Sequence, residues 1–123
     1  MSIADIANDL VALCREDKNL EAVDKYYSND IVSVESASST DMPAEMKGIE
    51  AIRGKNKWWL DNHTIHSQEV NGPYVGKDQF AVEFKIDFTN KPSGKRIRLS
   101  EMALYTVKDG KIVHEHFYYN PGA

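Results

Sequence analysis

A chain of 123 residues is long enough for one domain with a real core and too short for two, so a single domain spanning 1–123 is expected. Its 41% hydrophobic and 28% charged residues are ordinary for a globular protein, and a formal charge of −4 leaves no basic stripe for nucleic-acid phosphates. The lone cysteine, Cys14, excludes an intramolecular disulfide and a multi-cysteine metal centre.

The opening M-S-I-A-D-I-A-N-D-L has no basic n-region and no unbroken apolar run, so no signal peptide is read there. No stretch approaches the length of a membrane span. A cytoplasmic protein without a membrane partner is expected.

Ser2 followed by Asp5 resembles a capping box with Asp in the usual Glu place. Ile3, Ile6, Ala7, Leu10, Val11, Leu13 and Cys14 then recur at helical spacing, which predicts an amphipathic helix. Cys14 on that apolar face reads as a buried, inert thiol. Asn19 is a candidate cap for a second helix with Leu20, Val23, Tyr26 and Tyr27 as its apolar positions. Ile31-Val32-Ser33-Val34-Glu35 predicts a short β-branched strand that ends on a carboxylate. Residues 36–47 read as a Ser/Thr/Asp-rich loop, long enough in a small domain to act as a flap. Gly48 precedes a third helix in which Ile49, Ile52, Asn56, Trp59 and Leu60 share a face. An amide on that stripe needs partners, as a structural tether or as a ligand contact.

The remainder reads as strands. The stretch 65–75 is interrupted by Gly72-Pro73, which predicts a bend or bulge on an edge strand. Phe80, Val82, Phe84, Ile86 and Phe88 alternate with polar residues, as on a half-buried strand. In the next strand the apolar parity slips from Ile97 and Leu99 to Met102 and Leu104. An extra residue near Ser100-Glu101 would restore a common face, so a β-bulge is predicted there. Asp109-Gly110 between two apolar-rich runs predicts a type I′ hairpin, pairing Glu115 with Leu104, Phe117 with Met102 and Tyr119 with Ser100. His114 and His116 then share the other face with Tyr105, Ala103 and Glu101. Helix, helix, strand, helix and four antiparallel strands make an α+β fold with helices on one face of a curved sheet.

That order, with K-G-I-E-A-I-R, Y-T-V-K-D-G-K-I-V and the terminal H-F-Y-Y-N, resembles the SnoaL-like polyketide cyclases and ketosteroid-isomerase relatives of the nuclear-transport-factor-2-like superfamily. The resemblance covers nearly the whole chain. It implies a cone: three N-terminal helices in the concave face of a strongly curved, mostly antiparallel sheet, with a pocket between them. It also implies a homodimer through the outer sheet face, here Ala103, Tyr105, His114 and His116. The superfamily hosts isomerases, cyclases, dehydratases, hydrolases and non-catalytic binding domains, so fold alone does not choose an activity. Carried over by position, the isomerases' base falls on Glu35. The oxyanion tyrosine of the first helix falls on Val11, the protonated aspartate of the penultimate strand on Met102, and a network tyrosine of the third helix on Asn56. Pocket positions of the last strand fall on Glu115, Phe117 and Tyr119. With both oxyanion donors replaced, the resemblance does not extend to steroid isomerisation.

The candidate catalytic pair is therefore Glu35 and Glu115, with Asn56, Trp58, Tyr26, Met102, Phe117 and Tyr119 as pocket residues around a small hydrophobic ligand. Glu115 sits between Val113 and Phe117, where an unpaired charge is costly and a raised pKa would suit acid–base work. The opposite register would turn Glu115 outward and the histidines inward, and the sequence leaves both open. His-x-His is a spacing that metal sites use, but a complete site needs a third or fourth ligand and only Glu101 and Tyr118 are obvious candidates, so no metal and no cofactor is expected. His63 and His66 read as surface residues. A cofactor-independent isomerase, cyclase or lyase and a non-catalytic binding domain both fit.

Overall fold

The computed structural model describes residues 1–38 and 42–120. Three helices and six strands follow in the order α1 (Ile3–Arg15), α2 (Asn19–Tyr26), β1 (Tyr27–Val34), β2 (Glu45–Lys47), α3 (Ile49–Asn62), β3 (His63–Val75), β4 (Gln79–Asn90), β5 (Arg96–Lys108) and β6 (Lys111–Tyr118). The sheet order is β2-β1-β6-β5-β4-β3, and β1 runs parallel to β6 while every other pair is antiparallel. The α+β architecture expected from the sequence is the one observed.

Helix α1 begins as its composition dictates. The Asp5 amide donates to Ser2 Oγ at 3.1 Å and the Ser2 amide to Asp5 Oδ2 at 3.2 Å, which closes the capping box. Its apolar face is buried, and its last turn is tied to the edge of the sheet. The Arg15 guanidinium donates twice to the Val70 carbonyl, at 3.1 and 3.0 Å, and Gln68 Nε2 donates to the Cys14 carbonyl at 2.8 Å. The expected Asn19 cap is corrected: Lys18 occupies the cap position without a side-chain bond, and Asn19 is already helical. Asp17 takes a left-handed conformation (φ 59°) and the Lys18 amide returns to the Leu13 carbonyl, so the chain re-enters a helix at once.

Two expectations about the central connections change. Strand β1 starts at Tyr27, directly from α2, and Glu35 lies just past its end. The expected loop 36–47 contains a short strand, because Glu45, Met46 and Lys47 pair with Val34, Ser33 and Val32. Residues 39–41 of that loop lie outside the described residues.

The β4–β5 ladder is unbroken, with Phe84 opposite Glu101 and Lys85 opposite Ser100. The bulge predicted at Ser100-Glu101 is absent. Ile97, Leu99, Glu101, Ala103 and Tyr105 all face inward, while Met102 and Leu104 lie on the outer face. The parity slip marks two partly apolar surfaces on one strand, not one bent surface. Ala103 and Tyr105 are buried beneath the helices and cannot join the outer-face dimer set.

The irregularity lies in the last hairpin instead. Asp109 (φ 52°) and Gly110 (φ 76°) make the expected turn, and Lys108 pairs with Lys111 and Val107 with Ile112. The register then shifts, so that Thr106 faces His114 and Tyr105 faces Glu115. Val113 is the extra residue. On edge strand β3 the predicted bulge is present: the register shifts between Asn71 and Tyr74, across Gly72-Pro73. Gly72 has a φ of 118°, and a Cβ there would sit 3.2 Å from the Ala81 carbonyl oxygen.

Ile6, Leu10, Ile31, Ile52, Phe80, Val82 and Ile112 are fully buried between helices and sheet. Each such side chain contributes about 1.5–3 kcal/mol of burial. The core fills one end of the cone and leaves the other hollow.

Candidate functional site

The hollow end is a cavity of about 510 Å³ between α3, the inner sheet face and the residues after β1. Its two regions follow from sheet alternation. Phe84, Ile86 and Phe88 on β4 and Ile97 and Leu99 on β5 form an apolar wall, which α3 closes with Trp58 and Trp59. Strands β1 and β6 supply the polar end.

That end is built around Glu115, only 2% exposed. The parallel pairing sets Ser33 beside Glu115, and Ser33 Oγ donates to Glu115 Oε2 at 2.7 Å. The Tyr27 hydroxyl donates to Oε1. Lys55, one turn after Ile52 on α3, donates to Ser33 Oγ at 2.6 Å and to Glu35 Oε2 at 2.9 Å, and its Nζ lies 4.0 Å from Glu115 Oε2. The Tyr119 hydroxyl donates to Glu35 Oε1 at 3.2 Å. A continuous hydrogen-bonded chain thus runs from Tyr27 through Glu115, Ser33, Lys55 and Glu35 to Tyr119. Phe117 floors it, with Lys55 Nζ 5.0 Å from the ring centre.

Glu101 lines the same cavity from β5. Burial pushes its carboxyl up to about 8, and the charge of Glu35 adds to this against the opposing effect of Lys55. Glu101 is therefore a neutral acid at pH 7. Burial also raises Glu115, while Lys55 and the hydroxyls of Tyr27 and Ser33 pull the other way. Burial pushes Tyr119 up to about 12, so its phenol remains a donor. The Cys14 thiol borders the cavity but is raised to about 12 by burial, which leaves it inert as a nucleophile.

Of the sequence-selected residues, Glu35, Glu115, Asn56, Trp58, Phe117 and Tyr119 border this cavity. Two others do not. Tyr26 is buried, and its hydroxyl donates to Asp9 on α1. The helix-to-strand change after Tyr26 hands its expected place to Tyr27. Met102 is on the outer face, 37% exposed. With Met102 outside and Glu101 inside, the reading that the penultimate strand offers no acidic donor is corrected. Asn56 donates to the Ile52 carbonyl of its own helix at 3.0 Å, so its amide is anchored locally.

Lys55, Ser33, Tyr27 and Glu101 join the site without having been expected there from the sequence. Lys55 follows Ile52 by three and precedes Trp59 by four, which places it on the buried stripe. Glu101 follows Ile97 and Leu99 in unbroken alternation. Both signals were present but were outweighed by the neighbouring apolar residues. His63 is not the surface residue that its sequence position suggests. It is buried, stacked on Trp59 with ring centres 3.8 Å apart, and its Nδ1 lies 2.8 Å from the Trp59 carbonyl. His114 and His116 lie on the outer face, where His116 stacks on Tyr118 at 4.1 Å. Among the described residues, no three His, Cys, Asp or Glu side chains gather as metal ligands would, and no helix is long and apolar enough to cross a membrane.

Residues 1–119 match the SnoaL-like domain family. A Mesorhizobium loti protein, provisionally assigned as a SnoaL-like polyketide cyclase and also carrying the words carbohydrate phosphatase, is 46% identical with a TM-score of 0.92. The match covers 97% of this chain and 100% of that one. An NTF2-like protein from Burkholderia thailandensis shares the fold at a TM-score of 0.83 and 16% identity, over 98% of this chain and 92% of that one. A provisionally assigned isomerase from Bacillus subtilis does so at 0.74 and 20%, over 96% and 86%. No curated protein matches this chain.

Proposed function

The chain belongs to the SnoaL-like domain family, and from that membership and its cavity we propose that it binds a compact, largely apolar carbonyl compound and moves a proton on it by carboxylate chemistry. The reaction class is a cofactor-independent isomerisation, cyclisation or dehydration. One observation carries the reading: Glu35, Glu101 and Glu115 all border one cavity whose far wall is aromatic and aliphatic.

The groups divide the labour by environment. Glu35 is the most accessible of the linked acids, with a side chain 25% exposed, and Lys55 and Tyr119 orient it. It is the base that takes a proton beside the carbonyl. Glu101, neutral at pH 7, donates to the carbonyl oxygen as negative charge develops there. Glu115 is too enclosed to meet a bulky substrate and serves as partner acid through Ser33 and Lys55, holding the proton between steps. Asn56, Trp58 and Phe117 position the apolar part, and Tyr119 the polar end.

A carbohydrate phosphatase activity, as the Mesorhizobium loti protein is also described, does not fit these side chains. A phosphate would meet the acidic trio with Lys55 as the single cation among the described cavity residues, which is the wrong balance for a dianion.

The test is exchange of the α-protons of small aryl ketones in D2O, followed by NMR. Exchange that falls at least tenfold in Glu35→Gln, with ligand binding retained, supports the reading. A second reading, ligand binding without turnover, is favoured by the completeness of the polar chain, since Glu35 is already bonded by Lys55 and Tyr119. Binding with no exchange by the wild type would establish it. We also propose a homodimer through the outer face, now built on Met102, Leu104, His114, His116 and Tyr118; sedimentation at several concentrations tests it.

A further inference from the structure

Lys55 is the single lysine among the described residues that border the cavity. Its side chain is 15% exposed, and its nitrogen is held by oxygens of Ser33 and Glu35 above the face of Phe117. An ammonium needs only one well-placed carboxylate to be neutralised, yet this one is also within 4.0 Å of Glu115 and shares the cavity with Glu101. The nitrogen is thus surrounded by groups able to take a proton from it and return one.

Lys55 and Glu35 keep 15% and 25% of their side chains exposed, so the charged pair is open to water. An apolar ligand that fills the cavity removes that water. In low dielectric the charged pair loses solvation, and passage of one proton from Nζ to Glu35 leaves a neutral amine beside a neutral acid. A desolvated lysine amine next to a carbonyl is a nucleophile.

We propose that Lys55 forms an iminium with aldehydes and ketones held in the cavity, so that the site takes carbonyl compounds covalently. This goes beyond the acid–base reading, which needs no bond to the protein.

The step balances without an oxidant or reductant. Lys55 passes a proton to Glu35, and its lone pair forms the C–N bond as the C=O π pair moves to oxygen. Glu101 protonates that oxygen and recovers a proton from the nitrogen, leaving a neutral carbinolamine. Glu35 then protonates the hydroxyl, the C–O bond breaks, water leaves, and the nitrogen lone pair closes the C=N bond. An ammonium and a carbonyl have become an iminium and water, with both glutamates restored.

The test uses the intact protein and two probes. 2,4-Pentanedione forms a stable vinylogous amide with a nucleophilic lysine and is read by peptide mass mapping and near-ultraviolet absorbance. Formaldehyde with cyanoborohydride needs no recognition and ranks all lysines by rate of methylation. The expected result is a diketone adduct on Lys55 alone and Lys55 among the first residues methylated. Lys55→Arg keeps the cation and should lose the adduct, while quenching of Trp58 and Trp59 fluorescence by the diketone persists. Lys55 left unmodified by both probes, or modified no faster than exposed lysines, overturns the proposal. If Lys55→Arg fails to fold, the wild-type maps decide alone. An adduct without proton exchange removes the acid–base reading only; exchange without an adduct removes this inference only.

Discussion

Glu115 lies directly opposite Tyr105 across the β5–β6 ladder, with both side chains buried. Val113 makes that pairing by adding one residue to β6 between Ile112 and His114. The inward placing of Glu115 and Phe117 depends on it, because a one-residue slip exchanges the two faces of a strand.

Deleting Val113 should therefore be severe. The Asp109-Gly110 turn would hold its register, Glu115 and Phe117 would swing outward, and two imidazoles would turn toward the apolar core. Buried polar groups without partners cost about 1–3 kcal/mol each, so a loss of several kcal/mol is expected in urea unfolding. A midpoint equal to that of the intact chain would show that the bulge does not set the register.

Glu115 accepts hydrogen bonds from Tyr27 and Ser33, and both lower its pKa against the burial that raises it. Tyr27→Phe should push the Glu115 carboxyl further up and cost about 1.5–3 kcal/mol near neutral pH. Ser33→Ala should do the same and also loosen Lys55, which loses an acceptor. Carbon-detected NMR titration of the carboxyl reads the shift; an unchanged midpoint in Tyr27→Phe would remove this account.

The proton on Glu101 makes stability depend on pH with a definite sign. Folded, the carboxyl holds its proton up to about 8, against an ordinary 4.5. Between those values the folded state binds more protons than the unfolded state, so stability falls as pH rises through the window. The stabilising proton is fully present below the ordinary value and lost above about 8. Glu101→Gln should flatten this slope, a change on the order of a few kcal/mol between acid and alkaline ends. Glu115, raised in the same direction, retains its own share. A slope unchanged in Glu101→Gln, measured by urea midpoints across the range, contradicts the assignment.

Arg15 fastens α1 to the edge strand through the Val70 carbonyl. Arg15→Ala should cost about 1–2 kcal/mol and raise amide exchange locally, at the end of α1 and around Val70. Exchange that rises uniformly across the chain would indicate a loss of core stability in place of a local fastening.

The sequence by itself determined whatever is local. Ser2 with Asp5 set the start of α1, the alternation of Phe80 to Phe88 set the inward face of β4, Gly72-Pro73 marked a bulge, and Asp109-Gly110 placed the last turn. Glu35, Asn56, Phe117 and Tyr119 could be selected as cavity residues because pattern and family resemblance agreed on them.

Only the tertiary structure decided which faces β5 and β6 present. Met102 and Leu104 are as apolar as Ile97 and Leu99, so hydrophobicity could not distinguish an outer surface from a bent inner one. A bulge at Val113 leaves no mark on composition, and it alone reconciles the Asp-Gly turn with Glu115 opposite Tyr105. The parallel β1–β6 pairing that sets Ser33 beside Glu115 joins residues 82 positions apart, and no local rule could supply it. Lys55 was visible as a charge on a helix. That its charge lies among the carboxyls of Glu35, Glu101 and Glu115 follows from the packing of α3 against a curved sheet.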